Sequence, residues 1–257
     1  MPLKPITDNT IYLKSPREIE IMREAGRIVA LTVQEIKTAT EPGMTTKDVD
    51  RIAAQIFKRF GVKSTALGYF DFPGHICVSV NEEVVHGIPG GRRLKEGDLV
   101  KIDVAASYRG YVGDTTISYG VGPLQPEIQR LVDVTEAALY KGIEQAIAGQ
   151  RLSNISHAIQ KHVEANKLEV VREFVGHGVG RSMHEPPQVP HWGKPGHGPM
   201  LRPGMCLAIE PQVVLGGRGV KILADGWTAV TLDRKWSAHF EHTVAITPAG
   251  PLILTLP

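Results

Sequence analysis

Residues 99–119, LVKIDVAASYRGYVGDTTISY, constrain the fold of this 257-residue chain more than any other stretch. Two β-rich runs flank a polar turn, SYRG at residues 107–110, which is the pattern of a β-hairpin. A turn centred between its second and third residues places Asp103 directly opposite Asp114, with the two Cβ atoms roughly 5 Å apart. Facing carboxylates repel each other, and no Lys or Arg of the hairpin is placed to lie between them. The hairpin therefore predicts a metal ion at the two aspartates; the alternative is a solvated hairpin whose aspartates face water.

The composition is that of an ordinary globular protein. Apolar residues make up 42% of the chain and charged residues 22%, and a net charge of +2 gives no electrostatic case for binding nucleic acid or an anionic membrane. Cys77 and Cys206 are the two cysteines, and neither has a CxxC partner, which suits a reducing compartment. Because the amino terminus lacks the apolar segment of a signal peptide, and no apolar run reaches membrane length, we expect a cytoplasmic protein.

Four helices are predicted from capping residues and apolar spacing. SPRE at residues 15–18 is a capping box with proline at the first helical position, and Thr45 opens a second helix. Pro126 opens a long helix that Gly149 closes, and Ser153 starts a shorter one. Their predicted apolar faces are Ile19, Met22, Val29, Val33 and Ile36; Val49, Ile52, Ile56 and Phe60; Ile128, Leu131, Leu139, Ile143 and Ile147; and Ile155, Ile159 and Val163.

The two helix pairs resemble each other, which indicates an internal duplication. A shift of 106 residues lays Gly43 on Gly149, Val49 on Ile155 and Phe57 on Val163. Each pair is followed by β-rich sequence, and the strand-like segments outside the hairpin are residues 76–80, 170–174, 206–214 and 239–246. We therefore expect an α/β (α+β) chain with one domain over residues 1–257, built from two halves, roughly 16–120 and 126–250, related by an approximate two-fold.

Five further residues have the chemistry of metal or acid–base groups. They are His86 in HGIP, His177 in GHGVG, His184 in HEPP, Glu210 in AIEP and Glu241 in FEHT. Each has a structural alternative, because single histidines are commonly hydrogen-bonded core residues and a glutamate at a strand edge commonly faces solvent. Taken together, however, four carboxylates interrupt otherwise apolar strands, where an unpaired charge is costly. Four carboxylates and one imidazole, without thiolate, indicate Mn, Fe, Co or Zn, and their charge favours two ions about 3.5–4 Å apart.

The series HGIP, IDV with GDT, GHGVGRSMHEPP, AIEP and EHT, in this order and spacing, resembles the type I methionine aminopeptidases. The resemblance runs over nearly the whole chain and implies the pita-bread fold, in which two pseudo-symmetric α-β halves enclose a dinuclear metal centre around a curved antiparallel sheet. It implies removal of the initiator methionine from nascent chains whose second residue is small. The long insertion of type II enzymes and an amino-terminal zinc-finger extension are absent, so the chain resembles the short bacterial form.

The resemblance also assigns roles around the metals. Asp103 resembles the bidentate ligand of one metal, Asp114 and Glu241 the bridging carboxylates, and His177 and Glu210 the remaining ligands of the other. A hydroxide between the two ions would be the nucleophile, and Glu210 would also accept and donate the proton.

Two histidines and an apolar pocket are implied to bind the substrate. His86 resembles the group near the scissile amide nitrogen, and His184 the one that polarises the carbonyl. The residues that match the methionine pocket are Tyr69, Phe72, Cys77, Met183 and Trp227. Ala66 and Met183 stand where many relatives have cysteine and phenylalanine, which changes the shape of the pocket but keeps it apolar. For Phe72 and Cys77, plain core packing is an equal alternative.

The same resemblance implies binding partners and suggests the alternative functions to be weighed. A monomer that acts on the N-terminal Met of nascent polypeptides is implied, with the ribosome as a candidate partner and a monovalent cation near Asn81 and Ser237. The main rival is a pita-bread hydrolase that cleaves before proline, although those relatives usually carry a further amino-terminal domain. A non-catalytic binding protein on the same fold would have lost metal ligands, and all five are present here. A nucleic-acid-binding module has neither a basic patch nor a motif in its favour.

Overall fold

The computed structural model of the chain describes residues 10–257. The helices are α1 (Pro16–Ala39), α2 (Thr46–Phe60), α3 (Pro126–Ile143) and α4 (Ser153–Ala165), with a 3₁₀ turn at Tyr69–Asp71. The strands are β1 (Lys63–Ser64), β2 (Cys77–Val80), β3 (Glu83–Val85), β4 (Leu99–Tyr108), β5 (Tyr111–Gly120), β6 (Glu169–Val170), β7 (Gly176–Gly178), β8 (Glu185–Val189), β9 (Cys206–Ile209), β10 (Gln212–Val214), β11 (Val220–Ile222), β12 (Ala229–Thr231), β13 (Ser237–His239), β14 (Glu241–Thr247) and β15 (Gly250–Ile253).

A curled antiparallel sheet contains strands from both the earlier and the later parts of the chain. Its strands run in the order β1-β4-β5-β14-β9-β7-β8, with β2 paired to β4 and β15 to β14. Two small sheets, β13-β10-β6 and β11-β12-β3, flank it. Helices α1 and α2 pack over the first-half strands around one apolar core, and α3 and α4 pack over β9, β13 and β14 around another. The predicted mixed α/β class is confirmed.

The helix starts agree with the sequence because capping is local. Ser15 accepts from the Glu18 N–H while the Glu18 carboxylate accepts from the Ser15 N–H at 2.8 Å, and Thr45 and Asp48 repeat this arrangement at α2. The glycines matched by the 106-residue shift both adopt left-handed backbone just before α2 and α4, with φ of 93° and 87°. In α2 the apolar face is centred on Val49, Ala53, Ile56 and Phe57, so Ile52 and Phe60 are only partly buried.

The Glu18 carboxylate is expected to make the free energy of unfolding depend on pH. The Tyr111 hydroxyl and then the Ser15 N–H hydrogen-bond its carboxylate and lower its pKa from 4.5 to about 2. A depressed carboxyl pKa adds stability above pH 4.5, and this contribution is lost as the pH falls toward 2. We expect Glu18→Gln to lower the free energy of unfolding by about 1 kcal/mol at pH 7, the size of one hydrogen bond, and by progressively less in acid.

Urea unfolding of both proteins from pH 7 down to pH 3 measures this difference. Glu20→Gln is the matched control, since Glu20 lies on the same helix and pairs only with exposed Arg23. An equal stability loss at both ends of the pH range would contradict the role given to the Glu18 carboxylate.

The register of the β4–β5 hairpin corrects one prediction. The turn consists of Arg109 and Gly110, both left-handed with φ of 49° and 79°, so the strands close one residue later than expected. Asp103 lies opposite Thr116, and Asp114 lies opposite Ala105. The prediction that the two aspartates face each other directly is therefore wrong. Because the offset is two residues, they share one face of the sheet as diagonal neighbours.

Four predicted segments are shorter or interrupted in the structure. Helix α3 ends at Ile143, and Ile147 is 43% exposed, so the helix does not extend to Gly149. Only Glu169–Val170 of the segment near residue 170 is a strand. The segment 206–214 breaks at residues 210–211, where Pro211 lacks the N–H needed to continue the ladder, and 239–246 breaks at residue 240. Over residues 10–257, no helix is both long and apolar enough to cross a membrane.

Candidate metal centre

One cavity collects the residues that the sequence singled out. Its lining includes Asp103, Asp114, His177, Glu210 and Glu241, the histidines His86 and His184, and Ala66, Tyr69, Phe72, Cys77, Met183 and Trp227. The alternatives of solvent-facing carboxylates and a solvated hairpin are therefore not what the structure contains.

The sheet delivers the five polar groups from both halves of the chain. Asp103 and Asp114 come from the β4–β5 hairpin, His177 from β7, Glu210 from the break after β9, and Glu241 from the first position of β14. Antiparallel pairing holds the strands in order, since β5 pairs with β14, β14 with β9 and β9 with β7. The two strand breaks thus put both glutamates at strand ends, where their side chains reach the cavity.

His177 points its Nε2 atom at the carboxylates. Its Nδ1 lies 2.9 Å from the Gly178 carbonyl oxygen, and because a carbonyl only accepts, Nδ1 carries a proton. The Nε2 atom lies 3.4 Å from Glu210 Oε1 and 3.9 Å from Asp114 Oδ2. An imidazole whose Nδ1–H bonds a backbone carbonyl while Nε2 faces carboxylates is the arrangement typical of histidine metal ligands.

The donor set fits a divalent metal ion. Ligand atoms of Asp114, His177 and Glu241 lie within 4.8 Å of one another, and Asp114 Oδ1 is buried without a hydrogen-bond partner among residues 10–257. Burial and the neighbouring carboxylates raise the pKa of Asp114 and Glu241 well above the usual values. Burial also raises the pKa of Asp103 to about 6 and that of Glu210 to about 7. A divalent cation would offset this concentrated negative charge, and oxygen with imidazole nitrogen suits Mn, Fe, Co or Zn.

The sequence analysis did not identify the residues that orient these ligands. Gln212 donates to Glu210 Oε2 at 2.9 Å, and His239 Nε2 lies 3.5 Å from the same oxygen. Thr116 donates to Glu241 Oε2 at 2.8 Å. Thr116, Gln212 and His239 each stand two residues from a predicted ligand, and in a strand this spacing puts both side chains on one face. The two-residue period of a strand was therefore the sequence signal that could have identified these residues.

The two histidines outside the ligand set are held by aromatic neighbours. His184 Nδ1 shares a 2.9 Å hydrogen bond with the Tyr69 hydroxyl, and the His184 ring centroid lies 4.3 Å from that of His177. The His86 ring packs edge-on against Phe174 and Trp227. Burial lowers the pKa of His184 to about 2 and that of His86 to about 4. Both imidazoles are therefore neutral near pH 7.

The apolar wall beside the metal ligands contains the five predicted pocket residues. Phe72 and Trp227 meet edge-on with ring centroids 5.1 Å apart, and Met183 Sδ accepts from the Thr65 hydroxyl at 3.2 Å. Phe72 is 3% and Cys77 8% exposed, yet both line the cavity. Core packing and pocket lining were treated as alternatives for these two residues, and the structure combines them.

Lys101 occupies the place that the resemblance gives to a monovalent cation. Its side chain is fully buried, and Nζ donates to the carbonyl oxygens of Asn81 at 2.7 Å and Ser237 at 3.0 Å. Two carbonyl oxygens at the positions where the resemblance implies a monovalent cation therefore accept hydrogen bonds from Lys101. A lysine inside an apolar strand was a signal that the sequence analysis did not use.

Comparisons with known proteins agree with this geometry. The model of metallopeptidase family M24 matches residues 20–248. Methionine aminopeptidase 1 of Bacillus subtilis is 57% identical over 95% of this chain and 99% of its own length, and the methionine aminopeptidase of Clostridium perfringens is 49% identical over 96% and 99%. The crystal structure of the Thermotoga maritima methionine aminopeptidase superposes with a TM-score of 0.95 at 47% identity, covering 96% of this chain and 100% of that one.

A more distant likeness supports the fold alone. The prolidase of Pyrococcus furiosus has a TM-score of 0.77 at 22% identity and covers 95% of this chain and 65% of its own. The predicted pita-bread fold is confirmed. With a family model matched over most of its length and relatives this similar, the chain belongs to metallopeptidase family M24, among the methionine aminopeptidases.

Proposed function

We propose that this chain removes the initiator methionine from nascent polypeptides whose second residue is small, acting as a metal-dependent aminopeptidase. The observation that carries the proposal is the convergence of four carboxylates and the His177 imidazole beside an apolar, aromatic-walled pocket. We further propose one catalytic domain of two halves that works as a cytoplasmic monomer, with the ribosome as the candidate docking partner.

Five residues would hold two divalent ions. In the proposed assignment Asp103 would hold one ion, His177 and Glu210 would hold the other, and Asp114 and Glu241 would contact both. Four carboxylates carry more charge than one dication neutralises, which supports two. When bound, the ions would polarise the scissile carbonyl and lower the pKa of water. Because Gln212 donates to Glu210 Oε2, the Oε1 atom is the one that remains to ligate and to transfer a proton.

The two neutral histidines would act on the substrate. When the Tyr69 hydroxyl donates to Nδ1 of His184, the Nε2 of that ring carries the proton and can donate to the carbonyl oxygen as negative charge develops. His86, at the opposite side of the cavity beside Trp227, would bind near the scissile amide nitrogen. Burial keeps both rings neutral, so each can be a donor without adding positive charge beside the ions.

A peptide panel tests the proposal. Purified protein is loaded in turn with Mn, Fe, Co or Zn and assayed on Met-Ala-Ser, Met-Lys-Ser, Leu-Ala-Ser, Ala-Pro-Ser and acetylated Met-Ala-Ser, with metal content measured in parallel. We expect rapid release of Met from Met-Ala-Ser alone and no cleavage of the blocked peptide, because an aminopeptidase must bind the free amine. Preferential cleavage of Ala-Pro-Ser would favour the proline-specific rival, and metal-free, inactive protein would favour a binding protein.

Selectivity for methionine is expected to depend on Met183. A flexible thioether suits an aromatic wall, since sulfur–aromatic contacts add about 0.3–1.5 kcal/mol. Peptides that start with norleucine should have a modestly lower kcat/KM than those that start with methionine, and peptides that start with leucine should be slow substrates. Apolar pockets separate such shapes by only ~1–3 kcal/mol. Aspartate and lysine would be desolvated without a partner and should be rejected.

Met183→Phe should change the ratio of kcat/KM for methionine to that for norleucine without changing metal content. Thr65→Val removes the hydroxyl that contacts Met183 Sδ and is the matched control for a local packing change. Similar kcat/KM values for peptides starting with Met, Leu, Lys and Asp would contradict the pocket assignment.

A further inference from the structure

A wide cleft continues from the metal cavity to the surface. It shares His86, His177 and Glu210 with the cavity. Its outer walls belong to parts of the chain to which the proposed function assigns no role. They are β11 (Val220–Ile222) on one side and residues 173–175 on the other.

Strand β11 is the terminal strand of its sheet. The sheet order is β11-β12-β3, so β11 pairs with β12 on one side, and no other described strand pairs with it. Leu223 N–H donates to the Thr228 carbonyl at 2.8 Å, and Leu232 N–H donates to the Gly219 carbonyl at 2.9 Å. These bonds fix the alternation of the antiparallel ladder, in which residues 219, 221 and 223 bond to β12. The N–H and C=O groups of residues 220 and 222 therefore point away from the sheet.

The free edge of β11 faces the cleft. Val220 and Ile222 project from one face of the strand and Lys221 from the other, yet all three line the cleft. Residues of both faces line the same space when that space runs along the edge of the strand. Ile222 is also 43% exposed, so an apolar side chain stands beside unpaired backbone groups. Such edges are templates for the addition of a further strand.

We infer that the β11 edge binds the backbone of the substrate polypeptide beyond its second residue, as an added β-strand. The inference rests on the proposed function, because it takes the peptide's first residue to lie in the cavity. The cleft is continuous with that cavity, so the rest of the peptide can extend through the cleft along β11. Pairing through main-chain groups is independent of side chains. This suits an enzyme whose substrates share their first residue and differ after the second.

A length series with backbone-modified peptides tests the inference. The kcat/KM for Met-Ala-amide is compared with that for Met-Ala-(Ser)n-amide of three to seven residues, all with the unmodified enzyme. We expect kcat/KM to rise roughly tenfold once the peptide reaches β11, the effect of one or two backbone hydrogen bonds. N-methylation at alternate residues of the longest peptide should abolish that rise, while methylation at the residues between should not.

Ile222→Pro tests the same edge from the side of the protein. Proline removes the outward N–H at a position that makes no bond to β12, and proline is tolerated on edge strands. Ile222→Val is the control that keeps the N–H. We expect Ile222→Pro to lose the length-dependent gain and Ile222→Val to keep it, with both retaining turnover of Met-Ala-amide. Circular dichroism checks folding, and if Ile222→Pro does not fold, the N-methyl series decides alone.

Three outcomes would overturn the inference: no increase with length, no position sensitive to N-methylation, or a full gain in folded Ile222→Pro. Each of these leaves methionine release from Met-Ala-amide intact, and the proposed function with it. Failure to release methionine from any peptide would instead overturn the proposed function.

Discussion

Glu210→Gln is expected to lower kcat on Met-Ala-Ser by roughly 10²-fold or more and to weaken metal retention. The amide keeps the shape of the side chain but removes the negative charge 3.4 Å from His177 Nε2, and with it the oxygen that accepts a proton. The amide oxygen can still accept from Gln212, which places the NH2 group where Oε1 stands in the unmodified protein. Metal stoichiometry after dialysis and kcat over a range of metal concentration measure the two losses separately.

The matched control is Glu169→Gln, an exposed carboxylate at the start of β6 that pairs with Arg218 and does not line the cavity. It should leave both metal content and kcat unchanged. A Glu210→Gln protein with near-normal turnover and metal content without added metal would remove Glu210 from the proposed site. Restoration of full kcat by excess metal would reduce its role to that of a ligand.

Local features of the fold were predictable because their causes are local. The capping boxes at Ser15 and Thr45 require residues only three positions apart, and both helices start where the sequence places them. The match of Gly43 with Gly149 has a local basis too, since each glycine ends a turn at positive φ.

The hairpin register was not predictable to the residue. The sequence SYRG allows turns that differ by one position, and the choice depends on Arg109 adopting the left-handed conformation beside Gly110. A non-glycine residue pays for this conformation, so the choice also depends on how β4 and β5 pack within the sheet. The metal hypothesis remained intact because the slip moved the pairing by two residues and kept both aspartates on one face.

Contacts between residues that are distant in the sequence could not be predicted. His191 is completely buried, and its Nε2 accepts the Glu210 N–H at 3.2 Å, although the two residues lie 19 positions apart in different segments. Lys101 is likewise defined by carbonyl groups of Asn81 and Ser237, which only the folded sheet brings together. No period or spacing in a single sequence encodes such contacts.

His184→Ala and His86→Ala are expected to lose about 10²-fold or more in kcat while binding metal normally. Neither imidazole needs to bind an ion in the proposed assignment. His184 bonds to the Tyr69 hydroxyl at 2.9 Å, and His86 is held by Phe174 and Trp227. His177→Ala is the contrast, since removal of a ligand whose Nε2 faces two carboxylates should lower metal content as well as kcat.

Tyr69→Phe separates chemistry from packing at His184. The phenylalanine ring still fills the pocket wall, but Nδ1 of His184 loses the hydroxyl that fixes which nitrogen carries the proton. We expect a loss of roughly tenfold in kcat with unchanged metal content, smaller than that of His184→Ala because the donor itself remains. If His184→Ala or His86→Ala lost metal as completely as His177→Ala, the division between ligands and substrate-binding histidines would be wrong. If Tyr69→Phe had no effect while His184→Ala did, the imidazole would act without the orientation that the hydroxyl supplies.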